Sequence, residues 1–475
     1  MDGRDAPRRA LGRGSGGVMV RQTAAVLAGK ATAGLSRLTR RGAGATFPGD
    51  VARAIDPGVL RKLAAGFREG AVLITGTNGK TTTSRLVAAL LETPGQRVVA
   101  NRTGANLIWG ATAAAVQAAG PDGRLRADWG VFEIDEATLP RAIEEIRPRA
   151  VLVGNLFRDQ LDRYGELETL AQRLGEALSG LPSGGRAILN ADDPRIGWVG
   201  CRLDGTPLWY GLDDPSVSAP SLPHAADART CPRCGTALEF VAVYVGHDGD
   251  YVCPRGDFRR PRLDLAGTEI HLDGLRGIRL RAGGTPLSSG LGGLYNAYNL
   301  VGAFAVGTAL GLNPGMMAER LSRVSAAFGR QERFQHQGRH FTMLLAKNPT
   351  GFNESLRGAV ELAGGRHHLI ALNDRLADGQ DVSWIWDVDF EVLREGADVV
   401  VPTGERAGDM AIRLKYAGIP TATDPEPDLG RALDTLIERM PEGAEAHLLC
   451  TYTAMLDLRQ ELVRRGWTDP YWLLR

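Results

Sequence analysis

The segment Thr75-Gly76-Thr77-Asn78-Gly79-Lys80-Thr81-Thr82-Thr83 constrains this chain more than any other feature. It follows the apolar run Ala71-Val-Leu-Ile-Thr75 and precedes Leu86, Leu90 and Leu91 at helical spacing, so it reads as strand, turn and helix start. Glycines let backbone N–H groups approach phosphate oxygens, and the dipole of a helix start favours their negative charge. Lys80 stands where an ammonium neutralises β/γ-phosphate charge, and Thr81 where a hydroxyl ligates Mg²⁺. Ile74 occupies the position of the first glycine in GxxxxGK[ST], so the loop is a variant of the general spacing. Gly76, Asn78, Gly79, Lys80, Thr81 and Thr82 are the expected ATP-binding residues.

Short apolar runs at Trp129–Ile134, Ala150–Val153 and Arg186–Leu189, with a helical stretch at Glu166–Leu178, predict an α/β unit with a mostly parallel sheet. Between about Leu222 and Leu263 prolines and Cys-rich knots break the pattern. A β-like stretch, Glu269–Arg281, and helices over Asn296–Phe328 follow. After Gly329 the alternation resumes, with strands expected at Thr342–Ala346, His368–Ala371, Val399–Pro402 and His447–Thr451. The expected organisation is a basic, partly disordered segment over 1–48, an ATP-binding central domain over 49–328 with a Cys-rich insertion at 222–262, and a C-terminal Rossmann-like α/β domain over 329–475.

The chain is long enough for at least two domains at 475 residues, and 56 Lys plus Arg against 55 Asp plus Glu gives no reason to expect nucleic acid. Basic residues do gather early: Arg4, Arg8, Arg9, Arg13, Arg21, Arg37, Arg40 and Arg41 face only Asp2, Asp5 and Asp50. That start lacks the continuous apolar core of a signal peptide; Thr23–Ala33 fits a short helix, and Met19 is an alternative initiator that leaves 1–18 disordered. No window approaches the roughly eighteen apolar residues of a membrane span. Five cysteines without a signal peptide point to a reducing, cytoplasmic setting.

Cys231-Pro-Arg-Cys234 has the form of a zinc knuckle, and Tyr251-Val-Cys253-Pro-Arg-Gly-Asp-Phe258 looks like its second half. Cys450 follows apolar His447-Leu-Leu with no activating neighbour, which reads as a buried strand residue and not a glutaminase nucleophile. His367 and His368 precede a strand-like run, where adjacent residues face opposite ways, so they do not form a shared metal site.

The phosphate loop resembles that of the Mur ligase family, which couples ATP hydrolysis to amide formation in peptidoglycan synthesis. Other segments fit in order. Glu133 in Val131-Phe-Glu-Ile-Asp-Glu136 sits where the family places a Mg²⁺-binding glutamate. Asn155-Leu-Phe-Arg-Asp-Gln-Leu-Asp162 carries Gln160 in place of a metal-binding histidine of relatives, which puts a second metal site in doubt. Ile188-Leu-Asn-Ala-Asp-Asp-Pro194 also matches. Tyr295-Asn-Ala-Tyr-Asn299 resembles the helix start whose asparagine, here Asn299, contacts the nucleotide. Phe328-Gly-Arg-Gln-Glu332 resembles the link into the last domain, where the arginine, here Arg330, approaches the phosphates.

About 70 residues precede the loop, too few for the family's UDP-sugar domain, which implies a substrate held differently, such as a lipid-linked one. Leu345-Ala-Lys-Asn-Pro-Thr-Gly-Phe-Asn353 and the segment Ala371–Asp387 resemble the MurT branch, the Mur-like subunits of lipid II isoglutaminyl synthases. That resemblance implies activation of the D-glutamate α-carboxylate of the lipid II stem peptide as an acyl phosphate, at the inner face of the plasma membrane. Ammonia would come from a GatD-like glutamine amidotransferase subunit. It also implies an aspartate lent to the partner's catalytic histidine, with Asp387 the first candidate and Asp381 the second. In this branch the insertion is a Cys₄ ribbon, and Gly256 stands at the fourth ligand position here. Asp257, His247, Cys201 or water would complete a structural zinc site, or the site has decayed. Two other readings remain: a Mur or folylpolyglutamate-type ligase that joins an amino acid itself, and a non-catalytic nucleotide-binding scaffold.

Overall fold

The computed structural model describes residues 15–38, 46–101, 105–158, 167–224, 226–325, 330–360 and 366–469. Three helices open it: α1 (Ser15–Leu38), α2 (Phe47–Ile55) and α3 (Val59–Ala64). Strands β1 (Phe67–Thr75), β2 (Val98–Ala100), β3 (Ala127–Glu133), β4 (Ala150–Val153), β5 (Arg186–Asn190) and β6 (Leu208–Leu212) follow. Helices α4 (Lys80–Leu91), α5 (Ile108–Ala118) and α6 (Leu139–Ile146) lie among them. The hairpin β7 (Glu239–Val245) and β8 (Asp248–Val252) stands apart, and β9 (Leu265–Asp273), β10 (Gly277–Ala282) and β11 (Thr285–Ser289) complete the first half.

These strands form a nine-stranded sheet of order β11-β10-β9-β6-β5-β4-β1-β3-β2, parallel from β2 through β9 and antiparallel at the β9-β10-β11 end. β1 is central. Its run from Ala71 to Thr75 is wholly buried because α-helical layers cover both faces, and a parallel strand of that kind needs an unbroken apolar sequence. After β3 the chain crosses β1 to reach β4. The loop leaving β1 therefore lies where the strand order reverses, the crevice that α/β sheets use for ligands.

The second half carries β12 (Arg330–His336), β13 (Arg339–Leu345), β14 (His367–Ala371), β15 (Val399–Thr403) and β16 (Glu445–Cys450) in the order β12-β13-β16-β14-β15. All its pairings are parallel except β12 with β13. Cys450 is fully buried at the end of β16, and burial pushes its thiol up, as expected of a strand residue. His368 stacks on His447 across neighbouring strands at 5.5 Å. His367 is not in that stack; it lies on the next position of β14.

The β-like stretch Glu269–Arg281 is strand, as expected, and belongs to two antiparallel strands joined by a tight turn. Two expectations change. The first helix runs from Ser15 to Leu38, well beyond Thr23–Ala33, because Gly29 is a packing device there and not a breaker. A Cβ at Gly29 would meet Val116 Cγ1 at 2.7 Å and the Pro48 carbonyl at 2.9 Å. Helix stops at Ser322, and Arg330–His336, whose charges hide a strand pattern, is the edge strand of the second sheet. Among the described residues no helix is long and apolar enough to cross a membrane.

Candidate active site

The loop after β1 bends through Gly76 (φ +130°) and Gly79 (φ +84°), backbone states that favour glycine. Space demands them too: a Cβ at Gly79 would lie 2.2 Å from Asn299 Oδ1, and one at Gly76 2.9 Å from the Asn155 nitrogen. The segment after β4 braces the loop. Thr77 N donates to the Asn155 carbonyl at 2.9 Å, Asn78 N to Asn155 Oδ1 at 2.8 Å, and Phe157 N to the Thr77 hydroxyl at 3.0 Å.

Lys80 opens α4 and is only 7% exposed. Its ammonium donates to the Gly76 carbonyl, to the Thr77 carbonyl at 3.2 Å and to Glu136 Oε1 at 3.1 Å. It is thus curled onto its own loop and neutralised by a buried carboxylate. The Thr81 hydroxyl donates to Glu133 Oε2 at 2.8 Å, and Asn101 Oδ1 accepts from Glu133 N at 2.8 Å. A hydroxyl and a carboxylate side by side next to a phosphate loop are hard oxygen donors that fit Mg²⁺. Asn299, on the helix Leu294–Ala309, accepts from the Thr83 hydroxyl at 3.0 Å and donates to Asn296 Oδ1 at 2.8 Å.

Beside the loop lies a cleft of about 120 Å³, open to solvent, between the two halves of the chain. Asn78, Thr82 and Asn299 line it from the first half, and Leu344–Asn348 with Glu354 line it from the second. Asn348 Nδ2 donates to Asn78 Oδ1 at 2.9 Å, with a longer return contact of 3.4 Å, so one amide pair joins the phosphate loop to the second half. Gln331 donates to the Tyr295 hydroxyl at 2.5 Å at the edge of the same cleft. Glu136, Asn155, Gln331 and Asn348 had no role in the sequence reading. Glu136 lies three residues past Glu133 in a motif already singled out, whereas Asn155 and Asn348 reach the loop only through the fold. Gln160 and the Arg330 side chain lie outside the described residues.

Behind the cleft, Asp193 caps the helix Pro194–Gly200 through Arg195 N at 2.8 Å and accepts from Leu156 N at 2.7 Å. Its other neighbour is His247 Nε2 at 3.5 Å. Asp192 is pushed up to about 6 by burial, partly opposed by the charge of Arg260, by Leu212 N and by the Tyr298 hydroxyl. His247 also packs on Phe157 at 4.6 Å, so it belongs to this nest and not to the cysteines.

The thiol sulfurs of Cys231, Cys234 and Cys253 lie within 4.8 Å of one another, with Cys234 and Cys253 at 3.6 Å. Gly256 closes the second turn at φ +76°, its N–H donating to the Cys253 carbonyl at 2.8 Å. Burial would raise the Cys253 thiol, but N–H groups of Arg255 and Asp257 and the neighbouring thiols hold it below its ordinary value. Of the expected fourth ligands, Asp257 and Cys201 lie outside that cluster and His247 is engaged elsewhere. Three converging sulfurs fit three corners of a tetrahedral zinc site. Elemental analysis is expected to find zinc at or below about one atom per chain, falling when Cys231 or Cys234 becomes Ser. Zinc-free wild-type protein, prepared without chelators, would mean that Gly256 has abolished the site.

The two candidate partner-serving aspartates flank the short 3₁₀ turn Ser383–Asp387. Asp381 accepts from Ser383 N at 2.8 Å, a cap that holds its carboxyl below the usual range. Asp387 Oδ2 stands 3.2 Å from the guanidinium of Arg158, which also grips Asp227. Beside them Trp386 meets Tyr416 edge-on at 5.5 Å, and Arg413 lies over Trp386 at 5.7 Å. Trp386, Tyr416, Ile412 and Val392 are all exposed.

Family models match at residues 74–202, described as the Mur ligase middle domain, and at residues 345–455, described as the MurT ligase C-terminal region. The lipid II isoglutaminyl synthase (glutamine-hydrolyzing) subunit MurT of Staphylococcus aureus (strain N315) is 34% identical, over 82% of this chain and 86% of that one. The subunit of the same name from Streptococcus pneumoniae is 33% identical, over 90% and 94%. Among solved structures, a pseudomurein peptide ligase type C from Methanothermus fervidus superposes with a TM-score of 0.64 at 19% identity, over 84% of this chain and 79% of that one. MurF ligase from Thermotoga maritima in complex with ADP gives 0.60 at 14% identity, over 88% and 85%.

Proposed function

The chain belongs to the MurT family of Mur-type ligases, and we propose on that footing that it is the ATP-using subunit that amidates the stem peptide of lipid II. The observation that carries this reading is the glycine-rich loop after β1, which sets the Lys80 ammonium and the Thr81–Glu133 pair at the start of α4.

The chemistry follows from those groups. A carboxylate oxygen of the D-glutamate α-carboxyl attacks the γ-phosphorus of ATP, and ADP leaves as the bond to its β-phosphate oxygen breaks. When bound at Thr81 and Glu133, Mg²⁺ neutralises charge shared by the β- and γ-phosphates. Lys80 supplies the second positive charge, and to do so its ammonium exchanges Glu136 and the loop carbonyls for phosphate oxygens. Gly76 and Gly79 leave the loop backbone free to face the phosphates. Ammonia then attacks the acyl carbon, inorganic phosphate leaves, and the surplus proton passes to phosphate or water.

The ammonia requires a second chain. Cys450 is buried in β16 without an activating base, so it has none of the surroundings of a glutaminase nucleophile. The partner we propose is a GatD-like glutamine amidotransferase, seated on Trp386, Tyr416 and Ile412 and using Asp387 or Asp381 to orient its histidine. Zinc held by Cys231, Cys234 and Cys253 would have a structural role only. Work on a lipid-linked substrate places the complex at the inner membrane face.

Co-purification with a candidate glutaminase subunit, followed by mass measurement of treated lipid II, tests the reading. The expected product has one carboxyl converted to carboxamide, with ADP released in step. ADP release that needs an added amino acid and ignores ammonia would assign the chain to direct amino-acid ligation. No ATP turnover with partner and lipid II together would leave only a scaffold.

A further inference from the structure

Helix α1 is apolar on two sides. Its inner side, with Ala25, Val26 and Ala33 buried and Gly29 against Pro48 and Val116, packs on α2 and α5. Its outer side carries Val20 (70% exposed), Leu27 (47%) and Leu35 (64%), with exposed Ala24 and Ala31 between them. Positions 20, 24, 27, 31 and 35 recur at helical spacing and form one stripe along the helix. Phe47, 55% exposed, opens α2 and is a further exposed apolar side chain on the helix that packs against α1. A surface helix normally turns charge to water on the side opposite its core contact, and this one does not.

The charge on α1 itself is of one sign, while Asp50 on α2 and Asp122, whose carbonyl accepts from the Thr23 hydroxyl, stand nearby. From Ala6 to Gly49 the sequence has no Asp or Glu, although the whole chain is nearly balanced. At helical spacing Arg21 borders one side of the stripe and Lys30 the other. Arg124 reaches Met19 at 3.9 Å on the neighbouring surface. The Lys30 ammonium donates to the Gln117 carbonyl at 2.8 Å, and partial burial with the charge of Arg97 holds it below its ordinary value. An apolar stripe bordered by cations matches a partner that is both apolar and anionic, which is the boundary between headgroups and acyl chains of an anionic bilayer.

We propose that the outer face of α1, together with Phe47, is a peripheral docking surface for membranes containing anionic lipid. The proposal stands on these residues alone; with the function proposed above, it would carry the catalytic cleft to a lipid-linked substrate.

The test is co-sedimentation of the full chain with vesicles of phosphatidylcholine, with and without phosphatidylglycerol. Binding is expected with phosphatidylglycerol, to weaken as salt rises, and to be slight on phosphatidylcholine alone. The triple variant Val20→Ser/Leu27→Ser/Leu35→Ser is expected to bind about ten-fold less or weaker still, with its thermal melt unchanged because those side chains face outward. Phe47→Ser alone should give a smaller loss in the same direction. Amidation of a water-soluble, short-chain lipid II by the triple variant with its partner should equal wild type, which separates this proposal from the assignment of the reaction. Wild-type protein that ignores phosphatidylglycerol vesicles overturns the proposal, as does a triple variant that binds them normally. A wild-type dimer that the triple variant converts to monomer would give the stripe to a second copy and also overturn it.

Discussion

Lys80→Ala is expected to lower acyl-phosphate formation, read as ADP release with lipid II and ammonia, by at least about 10²–10³-fold. The loop offers one ammonium beside the β/γ-phosphates, and charge that develops during phosphoryl transfer is stabilised almost wholly by fixed cations. That ammonium is paired with Glu136 at 3.1 Å, both side chains buried. Removing Lys80 alone therefore strands a buried carboxylate, which is itself destabilising. The double variant Lys80→Ala/Glu136→Gln removes that complication. It should melt like wild type and remain as inactive as the single variant. Near-normal ADP release from either protein would sink the assignment of the phosphate site. Recovery of activity in the double variant would mean that the single one had failed through folding.

Asp387→Asn is expected to cut glutamine-dependent amidation by about 10²–10⁴-fold while leaving ammonia-driven amidation at the wild-type rate. Asparagine keeps the shape of the side chain but loses the charge that favours a partner imidazolium and its tautomer. The local fold should survive, because Arg158 remains held by Asp227 when its contact with Asp387 weakens. The phosphate site around Lys80, Thr81 and Glu133 is untouched, so acyl phosphate still forms and traps free ammonia. Asp381→Asn is the matched control, since asparagine caps the Ser383 N–H about as well as aspartate does. Loss of both routes in Asp387→Asn would assign that residue to folding or substrate binding. If only Asp381→Asn loses the glutamine route, the two roles exchange.

What the sequence discloses about this site follows chain distance. Gly76, Gly79, Lys80 and Thr81 are contiguous, and the chemistry of a phosphate loop needs those residue types at that spacing, so they are readable without a fold. Glu133 is singled out by the family resemblance, at the end of a strongly apolar strand. Asn155 and Asn348 lie in segments that carry the same resemblance, but their contacts with the loop come from the crossing of β1 by the chain and from the approach of the second half, which no local pattern encodes. The long α1 was obscured by Gly29 and Lys30, a glycine and a charge that suggest a break until Val116 and Pro48 are seen to require the missing side chain. The fourth position of the Cys cluster stayed open for the same reason. Asp257, His247 and Cys201 are equally good ligands by type, and only geometry separates them.

The contact between Asn78 and Asn348 sets a condition on turnover. Asn78 belongs to the turn between β1 and α4, and Asn348 leads directly into the helix Pro349–Val360. If that turn holds the phosphates, as proposed, a parting of the two halves pulls on the same loop that grips the nucleotide. Release of ADP and opening of the cleft are then expected to be linked. A mixed anhydride waiting for ammonia would stay away from bulk water for as long as the spent nucleotide is held.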